Sequence, residues 1–274
     1  MSEFSRAVVL GGGGVAGIAW ETGLVAGLAS QGVNLADADL IVGTSAGAAV
    51  TAQITSSSTP ESLYADQIND TGAPEPKIDV DMDALLAEIS EILANELDPV
   101  TALKRVGELA LEKDRVPESE RRQIIEARLA DYEWPKQLIK LTAVEATTGQ
   151  FVVFDNNSGV GLVDAVTASC ALPRVWPAAT INGSRYYDGG IRSSTNADVA
   201  KDYDRILVVE VLKLPETADV CAIEDRSKVL EISPDEASKR ALESLMDPAA
   251  RPACAKAGYE QGVVIAAQVR GFWG

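Results

Sequence analysis

Ala7-Val-Val-Leu10 is an unbroken apolar run stopped by Gly11, the pattern of a short buried strand. Ile18, Trp20, Leu24, Val25 and Leu28 then recur at helical spacing, which predicts a helix over 17–31 ended by Gly32. Asp39-Leu-Ile-Val42 reads as a second buried strand cut off by Gly43, and the small residues 46–52 predict a helix packed close to the sheet. Between about 60 and 132 the pattern changes. Leu85, Leu86, Ile89, Ile92, Leu93 and Leu97 form a helical stripe with Glu88, Glu91 and Glu96 between them, and further helices are expected over 101–113 and 118–131. Strands resume at 138–145 and 151–154. A helix near 161–169, a strand pair at 179–181 and 185–187, strands at 206–211 and 229–232, and helices at 234–245 and 249–268 complete the reading.

This alternation predicts an α/β fold, a central and mostly parallel sheet flanked by helices with a helical insertion. No internal repeat or low-complexity linker interrupts it, so residues 1–274 are expected to form one domain, with the insert or cap at about 60–132.

Charge narrows the partners. The chain carries −17, and from Glu61 to Asp98 eleven acids face one base, Lys77. Such a surface repels phosphate backbones and anionic bilayers, so nucleic acid is not an expected partner and electrostatic membrane docking is disfavoured. Cys170, Cys221 and Cys254 are odd in number, widely spaced and without metal-ligand spacing. Free thiols in a reducing, cytoplasmic setting are expected. The uncharged run from Ala7 to Trp20 resembles a signal-peptide core, but four consecutive glycines interrupt it and no run of 18 apolar residues exists. A soluble, unprocessed chain is the expectation.

Histidine is absent. Every Ser-His or Cys-His mechanism within this chain is thereby excluded, as is a His-based zinc site. A nucleophile here must lose its proton to a carboxylate, a lysine or a water.

Three motifs bear on chemistry. Gly43-Thr44-Ser45-Ala46-Gly47 is a G-x-S-x-G sequence between an apolar strand and a small-residue helix. That is where a sharp elbow would expose a serine hydroxyl at a helix N-terminus. Gly11-Gly12-Gly13-Gly14 follows the first strand and opens a helix, so its N–H groups could hold an anion, in an acyl hydrolase the oxyanion. Gly12-x-Gly14-x-x-Gly17 also fits G-x-G-x-x-G, which makes nucleotide or dinucleotide binding the competing reading. That fold wants an acid at the far end of the second strand, where this chain has Gly43-Thr44-Ser45. Asp188-Gly189-Gly190 is an ordinary turn sequence, yet in a chain without histidine it offers the carboxylate base a serine needs.

The glycine loop, Gly-Thr-Ser-Ala-Gly and Asp-Gly-Gly, in this order on an α/β chain, resemble the patatin-like phospholipase family. The likeness includes Ala168-Ser-Cys-Ala-Leu-Pro173 and runs from about Ala7 to Ala200, with 60–132 matching only as a variable insert. The resemblance implies cleavage of fatty-acyl esters of (lyso)phospholipids or related lipids through a covalent acyl-enzyme, without cofactor or metal. It makes Ser45 the nucleophile, Asp188 the base, and Gly12, Gly13 and Gly14 the oxyanion donors. It also implies a lipid or acyl-ester substrate, and leaves transient contact with a membrane or micelle open. Two positions depart from the family pattern. Ala16 stands where the family usually has Arg or Lys, and Asn196-Ala197-Asp198 lacks the usual proline of Asn-x-Pro. A catalytically silent relative acting as a binding module is the remaining alternative.

Overall fold

β1 (Arg6–Leu10) alternates its side chains between two apolar layers, Val8 and Leu10 facing one and Ala7 and Val9 the other. It therefore needs cover on both faces, and the chain supplies it. The computed structural model describes residues 4–69, 76, 80–112, 116–212 and 223–273; Lys77 and Cys221 lie outside them. After β1 come α1 (Gly14–Ser30), β2 (Leu40–Gly43) and α2 (Ala46–Ile54). The insert carries α3 (Pro60–Ile68), α4 (Met82–Asn95), α5 (Pro99–Ala110) and α6 (Glu118–Glu126). Next are β3 (Ile139–Glu145), β4 (Phe151–Phe154), α7 (Leu162–Ser169), β5 (Ala179–Ile181) and β6 (Ser184–Asp188). The described chain closes with β7 (Arg205–Val209), β8 (Val229–Ile232), α8 (Glu236–Ala241) and α9 (Arg251–Trp273).

The described strands form one eight-stranded mixed sheet flanked by helices, the α/β architecture expected. β1 pairs in parallel with β2 and β7, and β2–β3 and β7–β8 are parallel as well. β3 is where direction changes. β4 pairs antiparallel along its residues 141–144. β2 meets residues 139–141, and β6 meets residues 143–145 antiparallel. Leu141 pairs with both β2 and β4, and Ala143 with both β4 and β6. A strand residue has only two edges, so β2 and β6 lie end to end along the same edge of β3. The C-terminal ends of β2 and β6 therefore meet.

The largest apolar layer holds Trp20, Leu24 and Leu28 of α1 against Cys254, Ala266 and Val269 of α9. These helices cross closely because a Cβ on Gly23 or Gly27 would fall 2.0 or 2.2 Å from carbonyl oxygens of α9, and one on Gly258 or Gly262 2.1 or 2.4 Å from those of α1. A second cluster joins the insert to the sheet through Leu85, Ile89, Leu103, Val106, Trp176 and Tyr187, and the Tyr187 hydroxyl donates to Leu103 O at 2.7 Å. Thr59 and Asp98 cap α3 and α5, each followed by proline at the first helical position.

Two of the described helices, α6 and α8, end four or more residues earlier than the periodicity predicts. α6 stops at Glu126 rather than near 131, because the chain turns and the Arg128 carbonyl accepts from Gln53 Nε2 at 3.0 Å. α8 stops at Ala241 rather than 245, and the freed segment lies on the glycine loop, Leu245 O accepting from Ala16 N at 3.0 Å. No described helix is long and apolar enough to cross a membrane.

Candidate active site

The turn from β2 into α2 leaves no room for side chains at two places. A Cβ on Gly43 would lie 2.6 Å from the Ala48 Cα, and one on Gly47 2.1 Å from the Leu10 carbonyl oxygen. Ser45, between them, has φ 54° and ψ −114°, a conformation that L residues rarely adopt. The surroundings hold it there. Its N–H donates to Ser169 Oγ at 3.0 Å, and the Cys170 thiol donates to its carbonyl at 3.1 Å.

The meeting of β2 and β6 on one edge of β3 brings Ser45 to Asp188. The Ser45 hydroxyl donates to Asp188 Oδ2 at 2.6 Å, while Asp188 Oδ1 accepts the Gly190 N–H at 2.8 Å. Asp188 is 3% exposed. Burial pushes its pKa up to about 6, opposed by the Ser45 hydroxyl, the Gly190 N–H and the Arg121 guanidinium. Burial, with Asp188 beside it, pushes the Cys170 thiol up to about 12, so at neutral pH it is no rival nucleophile.

Asn196 braces the pair from below. It is fully buried at φ 53°, and its Nδ2 lies 3.0–3.3 Å from Thr44 Oγ1, Thr142 Oγ1, Gly189 O and Ser193 O. One amide thus touches the elbow at Thr44, the middle of β3 and the turn after Asp188. Its Oδ1 accepts from Arg192, which also forms a fork with Asp198 at 2.7 and 2.8 Å. Asp198, third in the Asn-Ala-Asp sequence, orients the arginine that orients Asn196.

Gly12, Gly13, Gly14, Ser45 and Asp188 all line one cavity of about 560 Å³, a size that suits a small-molecule ligand. The Gly12 N–H is donated to Ser194 O at 2.7 Å. No described residue accepts from the N–H of Gly13 or Gly14, and Gly14 has φ +63°. Val15, Ile18, Leu172, Ile191, Leu245 and Met246 give the cavity an apolar wall. The insert supplies Val80, Met82, Leu86, Arg121 and Arg128, so it borders the cavity as its place between Ser45 and Asp188 suggests.

Sequence reasoning missed four contributors. Ser169 sits inside the stretch quoted above, but nothing in that stretch assigns its hydroxyl to the elbow. Asn196 stands out only for the proline missing after it. Arg121 and Arg128 look like ordinary surface arginines of a charged helix, yet Arg121 is 3% exposed with its guanidinium 3.7 Å from the centre of the Trp176 ring.

Fold and site together define a mixed α/β protein with a serine–carboxylate pair opening on a glycine-lined cavity. Residues 8–201 match the family model for patatin-like phospholipase, more than half of the chain. The chain belongs to the patatin-like phospholipase family, a family of lipid acyl hydrolases. Among solved structures it is similar to VipD from Legionella pneumophila, with 10% identity, TM-score 0.48, and coverage of 97% of this chain and 67% of that one. It is also similar to the type III effector protein ExoU, with 16% identity, TM-score 0.43, and coverage of 96% and 53%. The chain therefore spans about two thirds and about half of these two proteins. No curated protein matches it.

Proposed function

We propose that this chain hydrolyses fatty-acyl esters of (lyso)phospholipids or related lipids, with Ser45 as nucleophile and Asp188 as general base. The observation that carries the reading is the 2.6 Å hydrogen bond from Ser45 Oγ to a buried carboxylate, inside a cavity with an apolar wall. Asp188 takes the hydroxyl proton as Oγ bonds to the ester carbonyl carbon. The carbonyl oxygen becomes an oxyanion, received by the N–H groups of Gly13 and Gly14. Gly12 is left out of this role because Ser194 already holds its N–H. Collapse of the tetrahedral intermediate expels the alcohol, which takes the proton from Asp188 and leaves an acyl-Ser45 ester. A water then gives its proton to Asp188 and attacks that ester. The second collapse returns the proton to Ser45 Oγ and releases the fatty acid.

A base near pKa 6 suits this task better than an exposed aspartate, which titrates near 3.9. The test is covalent labelling by a fluorophosphonate, with release of fatty acid from lysophospholipids measured in parallel. Wild-type protein should label and turn over, and the Ser45→Ala protein should do neither. Turnover that survives Ser45→Ala in a folded protein overturns the reading.

A further inference from the structure

Two arginines and, besides Asp188, four acids line the cavity. Arg121 is buried, and Arg128, two residues past α6, is partly buried; both border the open space beside the serine. Both act electrostatically on Cys170, whose Sγ is 3.1 Å from the Ser45 carbonyl oxygen, and Arg121 acts on Asp188 as well. Two positive charges thus stand at the reacting end. The acids of the same lining besides Asp188 are Asp81, Asp83 and Glu243, whose exposure puts them at its open end, and the partly buried Asp247. Apolar Met82, Leu86 and Met246 also line the cavity.

Burying guanidinium groups costs desolvation energy, and here it lowers both pKa values to about 10. Both groups remain charged at neutral pH. Both have neighbours within the protein; their position against open space beside the nucleophile is what singles them out. Trp176 orients Arg121 from one side.

We propose that Arg121 and Arg128 receive the phosphate of the ester substrate and that the acidic mouth receives a cationic group beyond it, so acyl esters with zwitterionic phosphate–ammonium head groups are preferred. This rests on the hydrolase reading above. A planar guanidinium matches two phosphate oxygens in a fork, and away from bulk water that attraction is little screened. A neutral ester brings nothing for the arginines to hold. A purely anionic ester suits them but must enter past Asp81, Asp83 and Glu243.

The experiment compares three single-chain esters with one acyl chain: lysophosphatidylcholine, lysophosphatidic acid and monoacylglycerol. The expected result is a kcat/KM for the zwitterion at least about tenfold above either of the others. Arg121→Met and Arg128→Met should each erase most of the zwitterion-to-neutral ratio, whatever happens to absolute rates. Arg121→Lys, which keeps the charge without the fork, should restore part of it. The double change Asp83→Asn and Glu243→Gln should instead narrow the zwitterion-to-anion ratio. If loss of Trp176 stacking unfolds Arg121→Met, binding of dodecylphosphocholine against dodecyl maltoside to Ser45→Ala protein, with and without Arg128→Met, gives the same comparison without turnover. Equal rates on all three esters, or arginine variants that slow all three alike, overturn the head-group assignment and leave the hydrolase reading standing. No turnover of any ester and no fluorophosphonate labelling sink the hydrolase reading itself.

Discussion

All nine residues of α2 are buried, whereas α4 in the insert buries only Leu85 and Ile89 of its fourteen. The two helices touch the same cavity under different constraints. α2 opens with alanine and glycine because Leu10 and the turn from β2 press on its first turn, and a methyl added at Gly47 has nowhere to go. α4 needs only a stripe to dock, and its other faces are free to carry acids. One of those acids, Glu88, meets Arg174 at 2.5 Å. The elbow is a steric necessity. The insert is a surface that adjusts, which is where specificity can be written without disturbing the chemistry.

The largest effect should come from the pair itself. Asp188→Asn should lower kcat by roughly 10³ or more, and the double variant with Ser45→Ala should be no worse than Ser45→Ala alone. Steady-state rates on a soluble ester check this. Next, Gly47→Ala should cost more than about 3 kcal/mol or prevent folding, because its methyl would sit 2.1 Å from the Leu10 carbonyl oxygen. Urea unfolding measures it, and a wild-type midpoint would show the elbow to be as adjustable as the insert. Asn196→Ala strands several buried polar groups, so a loss of about 2–3 kcal/mol is expected, with kcat falling alongside because the elbow and the Asp188 turn lose their shared brace.

The base supplies a smaller, pH-dependent test. Asp188 holds its proton up to about pH 6 in the folded chain, but an unfolded aspartate releases it near pH 4. Between these values the folded state binds more protons, so this group makes stability fall as pH rises from about 4 to about 6. Above pH 6 the full penalty of a buried charge is present. Asp188→Asn should therefore raise stability at pH 7 by about 1–3 kcal/mol and give no gain at pH 4. Activity runs the other way, rising through about pH 6 to a plateau as Asp188 becomes a base. The smallest effect belongs to the insert: Leu97→Ala, fully exposed, should change stability by less than about 0.5 kcal/mol.

The elbow was legible because its demand is local. Gly43, Ser45 and Gly47 must be small or strained where a strand turns straight into a helix, and five consecutive residues announce it. Asp188 was legible only through the missing histidine, since Asp-Gly-Gly alone is a turn. The Ser169 and Asn196 contacts to the elbow cross 124 and 152 residues of chain, and no periodicity encodes which hydroxyl or amide will land there. The family resemblance makes Gly12 an oxyanion donor, but whether an N–H points into the cavity or to Ser194 depends on a loop arriving from far along the chain. The early ends of α6 and α8 have the same origin, because each helix stops where a distant partner needs a backbone group.

The shared edge of β3 also sets an order of assembly. Ser45 and Asp188 are 143 residues apart, and each is held in place by pairing with a different stretch of one strand. Neither β2 nor β6 positions its residue until it has found β3, and a one-residue slip in either would turn the reacting side chain to the opposite face. The β2–β3 pairing spans a long loop, which makes it slow to close compared with any helix in the chain. During refolding, far-ultraviolet ellipticity would therefore return before fluorophosphonate reactivity. The serine then serves as a clock for the two pairings on the shared edge of β3.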